Sequence, residues 1–346
     1  MTPSGAPSIG LAEIAAALLL ALLNVYVLMG GADFGGGTWD LLASGPRRDA
    51  QRQLIASTIG PIWEANHVWL VIVVVVCFTA FPAAFATIAI VLHVPLALML
   101  IGIVMRGSAF VFRSYGSRSS SSRLHWGHMF AVSSAVTPIL LGTVVGAIST
   151  DAVGRAIANI GSGSFFAEFV QPWFAPFPIA VGVMALTLFA MLAATYLTVA
   201  ADDDAIREDF RRRAIGSAVV AIAAAGLTLR FARDEAPFMH RGLLGSSWSA
   251  LLLAATAIAA AVTIWALWRR RYSLARVAAA SEVSLILWGW GAAQFPYLVP
   301  PTITIRSAAA SRGTLEVLLW VLAGGAVILI PSLAFLLRTF TRRASA

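Results

Sequence analysis

Nine apolar runs, at about 11–29, 63–81, 83–105, 126–148, 177–199, 214–231, 248–268, 278–298 and 314–337, leave this chain few ways to fold. Each is long enough, or nearly so, to cross about 30 Å of hydrocarbon as an α-helix. In lipid the backbone must satisfy its own hydrogen bonds, and a helix does so within one segment. The expected fold is an all-α polytopic membrane protein of about nine transmembrane helices, with 1–346 forming a single integral membrane domain. Hydrophobic residues make up 59% of the chain and charged residues 12%, which excludes an ordinary soluble domain. Runs two and three are separated only by Phe81-Pro82, which predicts a tight helical hairpin.

All 24 basic residues are Arg, and their placement predicts topology. Eighteen fall after runs one, three, five and seven or in the C-terminal tail; six fall on the other side. The alternation predicts an outside N-terminus and a cytoplasmic C-terminus, so the net charge of +8 reports membrane orientation and not nucleic-acid binding. Arg106 is counted in this reading with the basic loop 107–124. The N-terminus has Glu13 and no basic segment ahead of its apolar run, unlike a cleaved signal peptide. The single cysteine, Cys77, rules out an intrachain disulfide.

Polar side chains at the edge of hydrocarbon are costly and therefore informative. The stretch Gly60-Pro61-Ile62-Trp63-Glu64-Ala65-Asn66-His67-Val68-Trp69-Leu70 places an acid, an amide, an imidazole and two indoles at the mouth of run two. Glu64 reads either as a proton-uptake group or as an acid stabilised by a helix N-terminus. Asn66 suits a hydrogen bond to a neighbouring helix. His67 suits a satisfied polar contact better than a haem ligand. Trp63 and Trp69 are about 240° apart around a helix and face different neighbours.

Just past run one lies Gly30-Gly31-Ala32-Asp33-Phe34-Gly35-Gly36-Gly37. Asp33 is expected there either beside Glu64 in a water-accessible acidic pocket or as a capping group in a turn. His93, in the middle of run three, is the best-placed in-chain haem ligand, set against a helix-packing role. His125 and His128 suit interface anchoring, Glu282 is a further intramembrane acid, and His240 is uninformative. A stand-alone proton-coupled transporter or channel, using Glu64, Asp33 and Glu282, is the competing reading. Its usual Gly/Pro-broken helices are missing, because those residues cluster at the ends of the runs.

Taken in order, these motifs resemble subunit II of the cytochrome bd quinol oxidases. The resemblance rests on Gly-Ala-Asp-Phe-Gly closing run one and Ile59 to Leu70 opening run two. Gln294-Phe295-Pro296-Tyr297-Leu298-Val299-Pro300-Pro301 supports it late in the chain. The family implies two four-helix bundles plus one extra helix. It implies a bacterial inner-membrane complex with subunit I, which binds quinol, carries two b-type haems and one d-type haem, and reduces O2 to water in aerobic respiration. Subunit II carries no haem of its own and no catalytic group. By the same resemblance Glu64 and Asp33 belong to the cytoplasmic proton pathway, and Trp69 to a dioxygen route. Trp63 and Asn66 belong with that route or with support of the haem sites. Some members hold a structural quinone in this subunit, and there is room for small single-span accessory subunits. Ala65 stands where the family usually has Gly, and the loop after run eight is short.

Overall fold

The computed structural model describes residues 10–115 and 120–343, with the side chains of 59–62, 64, 113–115, 120–124, 330, 334 and 336–343 outside that description. The long helices are α1 (Leu11–Leu41), α2 (Arg48–Ala80), α4 (His93–Tyr115), α5 (Ser120–Ile148), α8 (Pro176–Ala200), α9 (Asp204–Glu235), α11 (Ser249–Trp268), α12 (Tyr272–Gln294) and α14 (Arg312–Arg343). Between them lie the short helices α3 (Pro82–Val91), α6 (Ala152–Ala158), α7 (Phe165–Phe169), α10 (Pro237–Gly245) and α13 (Ile305–Ala308). Two short strands, β1 (Tyr297–Val299) and β2 (Ile303–Thr304), pair antiparallel after α12. Among the described residues, α1, α4, α5, α8, α9, α11 and α14 are each long and apolar enough to cross a membrane, and α2 with α3 adds an eighth candidate. α12, at 23 residues, is a long helix outside that group.

Eight of the long helices fall, in chain order, into two groups of four. In the first, α1 packs on α2 and α5, and α5 packs on α4. In the second, α8 packs on α9, α11 on α12, and both α9 and α12 close the ring. α8 also lies against α1 and α5, which joins the two groups, and α14 lies against α2 and α1. Arg306 of α13 pairs with Glu13 at 2.5 Å and ties the start of α1 to the segment before α14.

Four expectations about boundaries are corrected. α1 does not end at residue 29 but continues to Leu41, so Gly30 to Gly37 is helix and not a turn. Glycine weakens a helix by about 1 kcal/mol relative to Ala. Here the loss is offset by close approach of neighbouring helices, the usual use of small residues in membranes. A Cβ on Gly35 would stand 2.0 Å from the Phe189 carbonyl oxygen of α8, and one on Gly37 would stand 2.1 Å from Ser134 Oγ of α5.

α2 begins at Arg48, so Glu64 is deep within a helix and the reading as an acid at a helix N-terminus fails. Run three is divided. The chain bends by 116° between α2 and α3, and α3 packs on α6 and α13 at the end opposite the arginine-rich loops. The crossing helix α4 then starts at His93. Pro95 explains the break, because it has no N–H for the Val91 carbonyl and its ring crowds that oxygen. The predicted hairpin therefore turns through a ten-residue helix. Most of the expected 107–124 loop is also helix, in α4 and α5.

Gly35→Ala should destabilise the protein by about 1–3 kcal/mol or more, through overpacking against α8. Gly216→Ala, where a Cβ meets nothing within 4 Å, should be neutral or slightly stabilising. Thermal unfolding of the two purified variants checks both; equal midpoints would show that α1 does not need the close approach.

Candidate functional site

Arg106 lies in the middle of α4 and is 1% exposed, not in a loop as its place in the arginine pattern suggested. It enters the protein because Asp33, 0% exposed on α1, faces it. The guanidinium donates from Nη1 to Asp33 Oδ2 at 2.9 Å, from Nη2 to Asp33 Oδ1, and from Nη2 to the Asp33 carbonyl at 3.0 Å. Its Nε donates to Ser134 Oγ of α5 at 2.8 Å, and that hydroxyl donates to the Phe130 carbonyl at 2.7 Å. The Phe34 and Phe130 rings cover the guanidinium, with centroids 4.8 and 5.0 Å from its carbon. A planar fork of donors binds a carboxylate at two points and still reaches a third group, which an ammonium cannot match.

α2 joins this cluster through its conspicuous motif. Asn66 is buried and its Nδ2 donates to Asp33 Oδ2 at 3.4 Å. Trp69 packs in the apolar cluster of Tyr26, Phe34, Ile103 and Phe189 that walls the ion pair. Trp63 reaches it through rings, lying 5.8 Å from Phe110, which is 6.0 Å from Phe130. The Trp63 Nε1 and Asn66 Oδ1 are buried without a hydrogen-bond partner among the described residues. His67 Nδ1 is 2.8 Å from the Trp63 carbonyl, a contact within its own helix.

Asp33, Asn66, Trp63 and Trp69 are thus brought together around Arg106, the residue the sequence reading misplaced. One signal pointed to it: Arg106 is the only charge between Ala97 and Phe112. The Glu64 side chain lies outside the described residues, so its expected pairing with Asp33 does too. Asp33 itself is matched with Arg106.

His93 does not sit at mid-depth. It is exposed at the start of α4, with Nδ1 2.9 Å from the Ile90 carbonyl and its ring 4.9 Å from that of Phe169. Among the described residues no group of three or more His, Cys, Asp or Glu is placed to hold a metal ion. Glu282 is apart from the cluster, buried in α12, with Oε2 lacking a hydrogen-bond partner among the described residues.

The arrangement joins four helices through one charge pair and walls it with aromatic rings, next to the Trp-Glu-Ala-Asn segment. The family model for cytochrome bd terminal oxidase subunit II matches residues 11–340. The chain belongs to that family. Over 343 residues the subunit is 24% identical to the putative cytochrome bd menaquinol oxidase subunit II of Bacillus subtilis, covering 96% of each. It is 23% identical to the cytochrome bd-I ubiquinol oxidase subunit 2 of Escherichia coli K12, over 91% of this chain and 89% of that one. The structure of bd oxidase from Geobacillus thermodenitrificans shares the fold, with a TM-score of 0.78, 23% identity, and coverage of 95% of this chain and 98% of that chain. The subunit is therefore a multi-pass membrane component of an oxidase complex with a partner subunit, and the transporter reading is set aside.

Removing one member of a buried ion pair strands the other, at a cost of about 3–5 kcal/mol. Arg106→Met and Asp33→Leu should each destabilise the subunit by that order, and the double variant by clearly less than their sum. A double-mutant cycle on thermal unfolding measures this, and additivity would refute coupling. His93→Ala should leave the haem absorbance of the purified complex unchanged, whereas a shifted or lost band would make it a ligand.

Proposed function

We propose that the chain is the haem-free subunit of a bacterial inner-membrane quinol:dioxygen oxidoreductase. It supports a haem-bearing subunit I and supplies part of the route by which protons from the cytoplasm reach the site of O2 reduction. The haems, two b-type and one d-type, belong in this reading to subunit I, where quinol oxidation and water formation take place. The N-terminus is outside and the C-terminus cytoplasmic, which follows from the arginine asymmetry.

The observation that carries the reading is the Asp33–Arg106 pair, with Asn66 hydrogen-bonded to it. It fixes the part of α2 that bears Glu64 against α1 and α4. A proton route through a membrane protein needs its relay groups held at hydrogen-bonding spacing, and a rigid junction of helices does that. Within this division Glu64 carries protons. Asp33 contributes to the same pathway as a carboxylate whose charge Arg106 matches, so it shapes the local field beside Glu64. Trp63 and Trp69 form an apolar wall beside the junction, suited to passage of dioxygen and to exclusion of water.

Glu64→Gln tests the proposal in the purified two-subunit complex. Quinol-driven O2 consumption should fall by roughly an order of magnitude or more, with haem absorbance retained. Glu64→Asp should keep most of the activity. Parallel loss of haem and activity in Glu64→Gln would assign the residue to assembly instead.

A further inference from the structure

A groove runs along the outside of the second helix group, between α8 and α12. It has a volume of about 630 Å³, and its lining includes Tyr196 from α8 with Arg276, Ala280, Ser281, Ser284 and Leu285 from α12. The groove exists because the α12 surface recedes where Ala280, Ser281 and Ser284 stand in place of larger side chains. Its two ends differ in chemistry. Tyr196 lies one turn before the end of α8 and Arg276 in the second turn of α12, so both are at the arginine-rich end of the bundle. Beyond them the wall is formed by the small side chains of Ala280, Ser281 and Ser284, and then by Leu285.

Two of the nearby cations have partners on the protein. Arg270 pairs with Glu208 at 3.4 Å, and Arg271 stacks over the Trp265 ring at 5.3 Å. Arg276 has no carboxylate partner among the described residues, and it lines the groove together with Tyr196. A cation and a phenol together at one end of an apolar slot suit a ligand with an anionic head and a hydrocarbon tail. A membrane supplies that chemistry directly. Anionic headgroups concentrate beside basic clusters, and tyrosine sits at headgroup level.

We propose that this groove binds one anionic phospholipid, its phosphate held by Arg276 and Tyr196 and one acyl chain lying along Ala280, Ser284 and Leu285. Charge complementarity selects this occupant over a neutral, quinone-like one, which would leave Arg276 unmatched.

Native mass spectrometry of the purified complex tests the site, after incubation with mixed micelles containing phosphatidylglycerol or phosphatidylcholine. Wild type should retain one phosphatidylglycerol in preference to phosphatidylcholine. Arg276→Gln should reduce that retention several-fold. Ser284→Leu, which fills the slot and leaves the charge in place, should do the same. Arg269→Gln should retain lipid as wild type does, and haem absorbance reports folding of every variant. The proposal is overturned if wild type retains no phosphatidylglycerol, if Arg276→Gln binds as wild type does, or if Arg269→Gln loses as much. Displacement by millimolar inorganic phosphate would equally overturn it, since the site would then recognise the head alone.

Discussion

A guanidinium and a carboxylate that are both almost fully buried in a membrane protein must satisfy each other, and the first helix group is arranged around that requirement. Arg106 and Asp33 are 1% and 0% exposed. Neither charge tolerates that burial alone, and removal of either strands the other. The pair therefore sets the rotation of α1 relative to α4, and Ser134 and Asn66 extend the same constraint to α5 and α2. Lipid offers little hydrophobic drive for helix association. Polar contacts and close backbone packing have to supply the specificity instead.

The glycines beside Asp33 follow from the same constraint. Arg106 can reach the Asp33 carbonyl and Ser134 together only if α1 approaches α5 closely. Gly37 permits that approach at Ser134, and Gly35 permits the matching one against α8 at Phe189. One segment of α1 thus holds the charge pair and the contact that joins the two helix groups. The most constrained of the described residues are thus ones that fix helices in place.

The groove on the second group has a different character. Its cation is at the surface, at one end of the slot with Tyr196. A buried, matched charge holds helices together, whereas an unmatched one at the membrane edge is available to lipid. The same residue type serves both purposes in this chain, and its partners decide which.

The sequence by itself determined the class, the family and most of the helices. Hydrocarbon thickness fixes the length of each span, and the apolar runs record that length directly. The Gly-Ala-Asp-Phe-Gly and Trp-Glu-Ala-Asn-His-Val-Trp segments stood out because polar groups in such places are rare. What only the tertiary structure decided was who meets whom. Asp33 and Arg106 lie 73 residues apart, so no local pattern pairs them. By composition Arg106 looked like one more topology-setting arginine, and the glycine run looked like a turn. Both are buried helix, because contacts between helices outweigh local preference. His93 moved from mid-span to a helix end for a related reason: Pro95 broke a run that hydropathy alone reads as continuous.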